Sequence, residues 1–344
     1  MINGITYGKG CAFLKQLYHL IGYDTFSLAT QLYFERFQWK NTVLRDFLTC
    51  LDDANERLAK KTPGLVVSKW AETFLNTRGA NVFEGAINKD TLVITQTVAQ
   101  FSDGLRQQKL DVLLFDEDFN EAVVTVMSSE EDPDIKIKLD DPKKHFFILN
   151  HGDHAYAKII LNEETTNFLS TKLNSIKDTL TRALVWKAIQ AMVKTCRVKS
   201  TLYFTYIKQN IPTEDSSYLI ETVLTTAGMV MGSYVPDDCY DEIAGEIFDV
   251  FYKLLPEKPV FKDSLFNFLR TQSHVEQAVA WLEAGSVLHE GSPVKGGELS
   301  KNNKYAIVKA VYAKPSFKID EKKRLLALVV GDDKSDISKN LTLS

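Results

Sequence analysis

Ile5-Thr6-Tyr7-Gly8-Lys9-Gly10 runs straight into Cys11-Ala12-Phe13-Leu14-Lys15-Gln16-Leu17-Tyr18-His19-Leu20-Ile21, and Gly22 follows. Phe13, Leu14, Leu17, Tyr18 and Ile21 recur at the spacing of one helical face, and Gly22 stands where a left-handed C-cap would close it. The spacing predicts a buried helix over 11–21 with a glycine-flanked tyrosine at its mouth. Working outward, Phe26, Tyr33 and Phe37 continue the apolar pattern. Asn41 is read as the N-cap of a stripe formed by Val43, Leu44, Phe47, Leu48 and Leu51. Residues 52–63 read as a charged tail and turn, and Val67, Trp70, Ala71, Phe74 and Leu75 as one more amphipathic helix before Gly79. Core packing accounts for all of these positions except Tyr7.

Beyond Gly79 the periodicity drops towards two. Residues 92–98, 109–115, 122–126 and 135–139 are short β-rich runs separated by turns rich in Asp, Gly, Asn and Pro, which indicates a small β-sandwich. From Glu163 to the end the pattern reads as helical. Stripes are expected at 180–192, 202–211, 218–231, 242–255, 265–273, 275–284, 306–312 and 325–330. Successive helix pairs of this kind stack as an α-solenoid, so the predicted class is mostly α with a small β-sandwich.

Two separated stretches resemble the aminopeptidase N family of zinc metallopeptidases. The first is Tyr7, Lys9 and Gly10 with the helices that follow, matching the family's Tyr-x-Lys-Gly and its Trp-led helix before a glycine. The second is Asn150, Asp153, Tyr156, Ala157 and Lys158, matching the turn and strand that lead into the family's C-terminal helical domain. Thr181 to Ala188 is similar to that domain in the endoplasmic-reticulum aminopeptidase type. The resemblance implies the helical end of a thermolysin-like catalytic domain over 1–80, a β-sandwich over 81–161, and a solenoid-like helical domain over 162–344, expected to be incomplete. It also implies peptide substrates, and a Tyr7 hydroxyl that donates a hydrogen bond to the oxyanion of the tetrahedral intermediate. A phenol suits that role because it stays protonated near neutrality and can meet charge that develops only in the transition state.

The family's zinc site needs His-Glu-x-x-His on a helix plus a downstream glutamate. No such pentapeptide occurs here: His289-Glu290 is the one His-Glu pair, and Pro293 occupies the position of the second histidine. The family's Gly-x-Met-Glu-Asn motif is missing as well. The expectation is therefore a C-terminal part of a zinc aminopeptidase, inactive alone, with no zinc on this chain and a metal-bearing half or capping partner elsewhere. The alternative is a non-catalytic helical scaffold or binding module of the same ancestry. His151, Asp153 and His154 bunch as metal ligands would, but no further converging ligand is assignable from the sequence, so they read as part of the turn.

A net charge of −4 gives no reason to expect nucleic acid. No apolar run is long enough to span a bilayer. Cys11, Cys50, Cys196 and Cys239 are scattered without ligand spacing, with Cys11 and Cys50 placed on apolar helical faces. Reduced thiols and a cytoplasmic setting are expected.

Overall fold

The computed structural model describes residues 4–58, 62 and 64–330. The last part of the helical domain expected over 162–344, residues 331–344, lies outside the described residues. Two compact units are formed, one within Met1–Leu169 and Ser175–Met192, the other within Ser170–Asn174 and Val193–Ser344.

The first unit opens with a π-helical turn, Gly4–Lys9, that passes into α1 (Gly10–Ile21). Gly22 ends α1 at φ 82°, ψ 169°, a conformation that an L side chain resists. Next come α2 (Tyr23–Phe37), α3 (Leu44–Leu58) and α4 (Val67–Leu75). Their shared core holds Phe13, Leu17, Leu20, Leu51, Trp70 and Phe74, with the Phe13 and Trp70 rings stacked at 5.7 Å between centroids. The start of α3 differs from expectation. The carboxylate of Asp46 accepts from the Val43 N–H at 2.9 Å, so the side chain closing that end sits inside the helix and not at Asn41.

Strands β1 (Asn81–Asn88), β2 (Thr91–Val98), β3 (Lys109–Phe115), β4 (Glu121–Met127), β5 (Asp134–Lys138), β6 (Phe146–Leu149) and β7 (Ala157–Ile160) make two sheets, ordered β5-β2-β1-β7 and β4-β3-β6. β7 runs parallel to β1, and the other pairings in these sheets are antiparallel. Alternation along β2 sends Leu92 and Ile94 inward. Gly85 of β1 lets the second sheet approach: a Cβ there would stand 2.8 Å from Phe147 Cε2 of β6. α5 (Glu163–Lys172) and α6 (Thr179–Lys194) follow the sheets.

Arg106 joins the helical and β parts of this unit. It is 2% exposed, and its guanidinium donates to Thr73 O at 2.7 Å, Thr77 Oγ1 at 2.7 Å, Arg78 O at 2.8 Å and Asn81 Oδ1 at 3.3 Å. A cation is thereby held at the C-terminal end of α4, where orphan carbonyls and the helix dipole favour one.

The second unit contains α7 (Ser200–Asn210), α8 (Ser217–Tyr234), α9 (Asp237–Leu254), α10 (Lys262–Leu265), α11 (Gln272–Ala284), α12 (Lys301–Tyr312) and α13 (Ile319–Val330). Two expectations fail in it. The stripe at 265–273 is no continuous helix: α10 stops at Leu265, a 3₁₀ turn covers Phe266–Phe268, and the chain is extended at Thr271, whose hydroxyl caps α11. A β-hairpin, β8 (Ser286–His289) and β9 (Ser292–Glu298), also interrupts the helices. Its turn places Glu290 and Gly291 at φ 50° and 79°, the positive pair that matches the twist of a two-residue hairpin. Tyr252 Oη donates to Leu288 O at 3.0 Å and so ties the hairpin to α9.

Candidate functional site

Tyr7 lies on the π-helical turn ahead of α1 and is 72% exposed. It borders an open groove of about 630 Å³ with Thr6, Gly10, Cys11, Leu14, Lys15 and Tyr18. The neighbouring Lys9 turns the other way, and its ammonium donates to Thr77 O at 2.7 Å. Burial, then the nearby Arg106 charge, pull the Lys9 pKa down, with Asp103 opposing. In the Tyr-x-Lys-Gly stretch the lysine is thus a brace against the end of α4, and the tyrosine is the group offered to solvent. Cys11, expected on the apolar face, is exposed, because the buried face of α1 is the one carrying Phe13, Leu17 and Leu20; Cys50 is buried as expected.

Beside the Tyr7 groove runs a second, apolar one of about 510 Å³, lined by Phe13, Leu14, Phe26, Tyr33, Phe34 and Phe47 among others. Phe34, Leu44 and Trp39 are exposed near it, Trp39 at 99%. An apolar face of this kind marks a surface suited to being covered.

The family's metal does not fit at Tyr7. The groove's lining holds neither histidine nor carboxylate, only the Cys11 thiol with phenolic, hydroxyl, ammonium and aliphatic groups.

A second constellation lies at the junction of α1, β3 and the turn before β7. His19 and His154 stack face to face, with ring centroids 3.9 Å apart and planes 4° from parallel. Asp111 Oδ2 is 3.5 Å from His19 Nε2 and 3.9 Å from His154 Nε2. Burial, and then the repulsion of His154, lower the His19 pKa to about 4 against the pull of Asp111. Burial likewise lowers His154. Both shifts favour the uncharged imidazoles. Of the bunch seen in the sequence, His151 instead faces Thr181 Oγ1 at 3.1 Å, and Asp153 pairs with Lys15 and Lys187 at 3.6 Å each. Sequence reading missed His19 and Asp111 as companions of His154, since nothing local links positions so far apart in the chain.

Over residues 1–70 the chain matches the peptidase family M1 domain. It is 25% identical over 249 residues to an aminopeptidase N of Streptomyces lividans, covering 67% of this chain and 28% of that protein. It is 31% identical over 107 residues to an aminopeptidase N of Lactococcus lactis subsp. lactis, covering 31% of this chain and 11% of that one. These matches place the similarity with the peptidase family M1 domain and with aminopeptidases N. The matched part spans under a third of the length of either relative.

Proposed function

We propose that this chain is the C-terminal part of a zinc-dependent aminopeptidase that removes N-terminal residues from peptides, and that it does not hydrolyse them by itself. In this reading residues 1–80 are the helical end of the catalytic domain, 81–161 a β-sandwich, and 162–344 a solenoid-like helical domain of the endoplasmic-reticulum type. Tyr7 donates its phenolic proton in a hydrogen bond to the oxyanion that develops at the scissile carbonyl. The carrying observation is the position of Tyr7, exposed over a groove and braced by Lys9 within the segment that matches the family domain. The apolar groove beside it suits a metal-bearing half that covers α1 to α3.

A scaffold reading, in which the chain binds partners without catalysis, is favoured by the lack of imidazole or carboxylate donors around Tyr7. The two are separated by mixing the chain with the metal-bearing portion of the Streptomyces lividans relative and following fluorophore release from an amino-acyl amide. The peptidase reading expects activity that Tyr7→Phe lowers by roughly 10²–10³, as for loss of one oxyanion donor. No recovered activity leaves the scaffold. Turnover by the chain alone would contradict its inactivity.

A further inference from the structure

We infer that His19, Asp111 and His154 form a binding site for one divalent transition-metal ion of the zinc type, separate from the Tyr7 groove and independent of the peptidase reading. This departs from the expectation that the chain carries no metal.

The donor set is two imidazoles and one carboxylate, a combination suited to zinc, cobalt or nickel and poorly suited to magnesium or calcium. The three ligand atoms all lie within 4.8 Å of one another. Three protein ligands would leave a fourth position to water, the arrangement of open zinc sites.

The surroundings are built to aim these groups. Thr125 Oγ1 donates to Asp111 Oδ1 at 2.6 Å, which orients the carboxylate and leaves Oδ2 towards the two rings. Such outer hydrogen bonds are what hold metal ligands in place. The turn bearing His154 is closed by Asn150, whose Oδ1 accepts from Ala155 N–H at 2.7 Å and whose Nδ2 donates to Ala155 O at 3.1 Å. Gln16 of α1 fastens that turn to the helix carrying His19, accepting from the Tyr156 N–H at 3.1 Å. Gly152 makes room for the imidazole: at φ 78° it would put a Cβ 2.5 Å from His154 Nε2. The nearby cations are engaged, Lys15 by Asp153 and Lys109 by the His19 carbonyl at 3.0 Å.

The rival account is a neutral stacked pair that only packs. Against it, His19 Nε2 and His154 Nδ1 are buried with no hydrogen-bond partner, a costly state for polar atoms unless something else meets them. An ion on Nε2 supplies that partner for His19 directly. Parallel rings do not aim both lone pairs at one point, and ligands of a tetrahedral zinc with bonds of about 2.0–2.1 Å stand roughly 3.3 Å apart. Binding therefore opens the stack by rotating His154, the more exposed ring at 28% against 15%.

The test uses the full chain, freed of metal with chelator and titrated with zinc chloride by calorimetry, and with cobalt while the visible absorption of bound Co²⁺ is recorded. One ion per chain is expected. His154→Ala and His19→Ala should abolish binding, Thr125→Val should weaken it about 10–100-fold, and His289→Ala should leave it unchanged. His154→Gln, which keeps a polar side chain of similar size at the more exposed position, guards against loss of fold, with circular dichroism as the control. No binding at millimolar zinc, or binding that survives both His154→Gln and His19→Ala, overturns the site.

Discussion

Replacing Arg106 with methionine tests what joins α4 to the sheets. The guanidinium hydrogen-bonds to four acceptors, and among the described residues no carboxylate pairs with it. Charge-assisted hydrogen bonds contribute about 1.5–3 kcal/mol each, so the gross loss is on the order of 6 kcal/mol or more. Two effects shrink it. Burial of the cation is itself costly, which is why desolvation is the main cause pulling the Arg106 pKa down. The acceptors also keep other partners: Thr77 Oγ1 still donates to Thr73 O, Asp103 N–H to Arg78 O at 3.3 Å, and Gln108 Nε2 to Asn81 Oδ1 at 3.1 Å. The expected net cost is about 3 kcal/mol, a fall of roughly 6–12 °C in the melting of the first unit at about 2–4 °C per kcal/mol. Urea unfolding followed by fluorescence, with hydrogen exchange of α4 and β1 to assign the change to this unit, measures it. Arg106→Lys decides between charge and geometry, because lysine keeps the cation at the helix end but loses the planar fork. It should be no better than methionine. A methionine variant within 1 kcal/mol of the parent, or a lysine variant equal to the parent, refutes the reasoning.

Gly85→Ala should overpack the interface between the sheets, since its methyl meets Phe147 at 2.8–3.0 Å and Leu92 Cδ1 at 3.3 Å. About 1–3 kcal/mol should be lost, read as a lower urea midpoint. Acid should also weaken the first unit through His19. Its folded pKa is depressed to about 4 from 6.5, so the unfolded chain binds more protons between those values, and stability is full above about pH 6.5 and falls as pH drops towards 4. The groups facing it are Asp111, His154 and Lys109. The loss should be on the order of 3 kcal/mol, and His19→Asn should flatten the urea midpoint across that window.

Long amphipathic stripes were legible because a helix buries one face in register with its own sequence. Alternation exposed β2 to β5 for the same local reason. The hairpin at β8 and β9 was not, because four residues of one strand and a glycine-rich partner give neither period. The broken stretch at 265–273 shows the same limit. Its apolar residues at Leu265, Phe266 and Phe268 are buried, but hydrogen bonding, which hydrophobicity does not record, ends the helix at Leu265.

The two candidate sites divide along the same line. Tyr7 stood out in a continuous motif, as a hydroxyl beside a helix that its neighbours already specify. Sequence alone also carried the family resemblance and the order of helix, strand and helix, since these rest on residues adjacent in the chain. Lys9 as a brace, Arg106 as a buried joint and the meeting of His19, Asp111 and His154 were decided only by tertiary structure. Each depends on side chains brought together from distant segments, and the free energy that brings them together comes from burying the apolar faces around them, which leaves no local trace of which polar groups will meet.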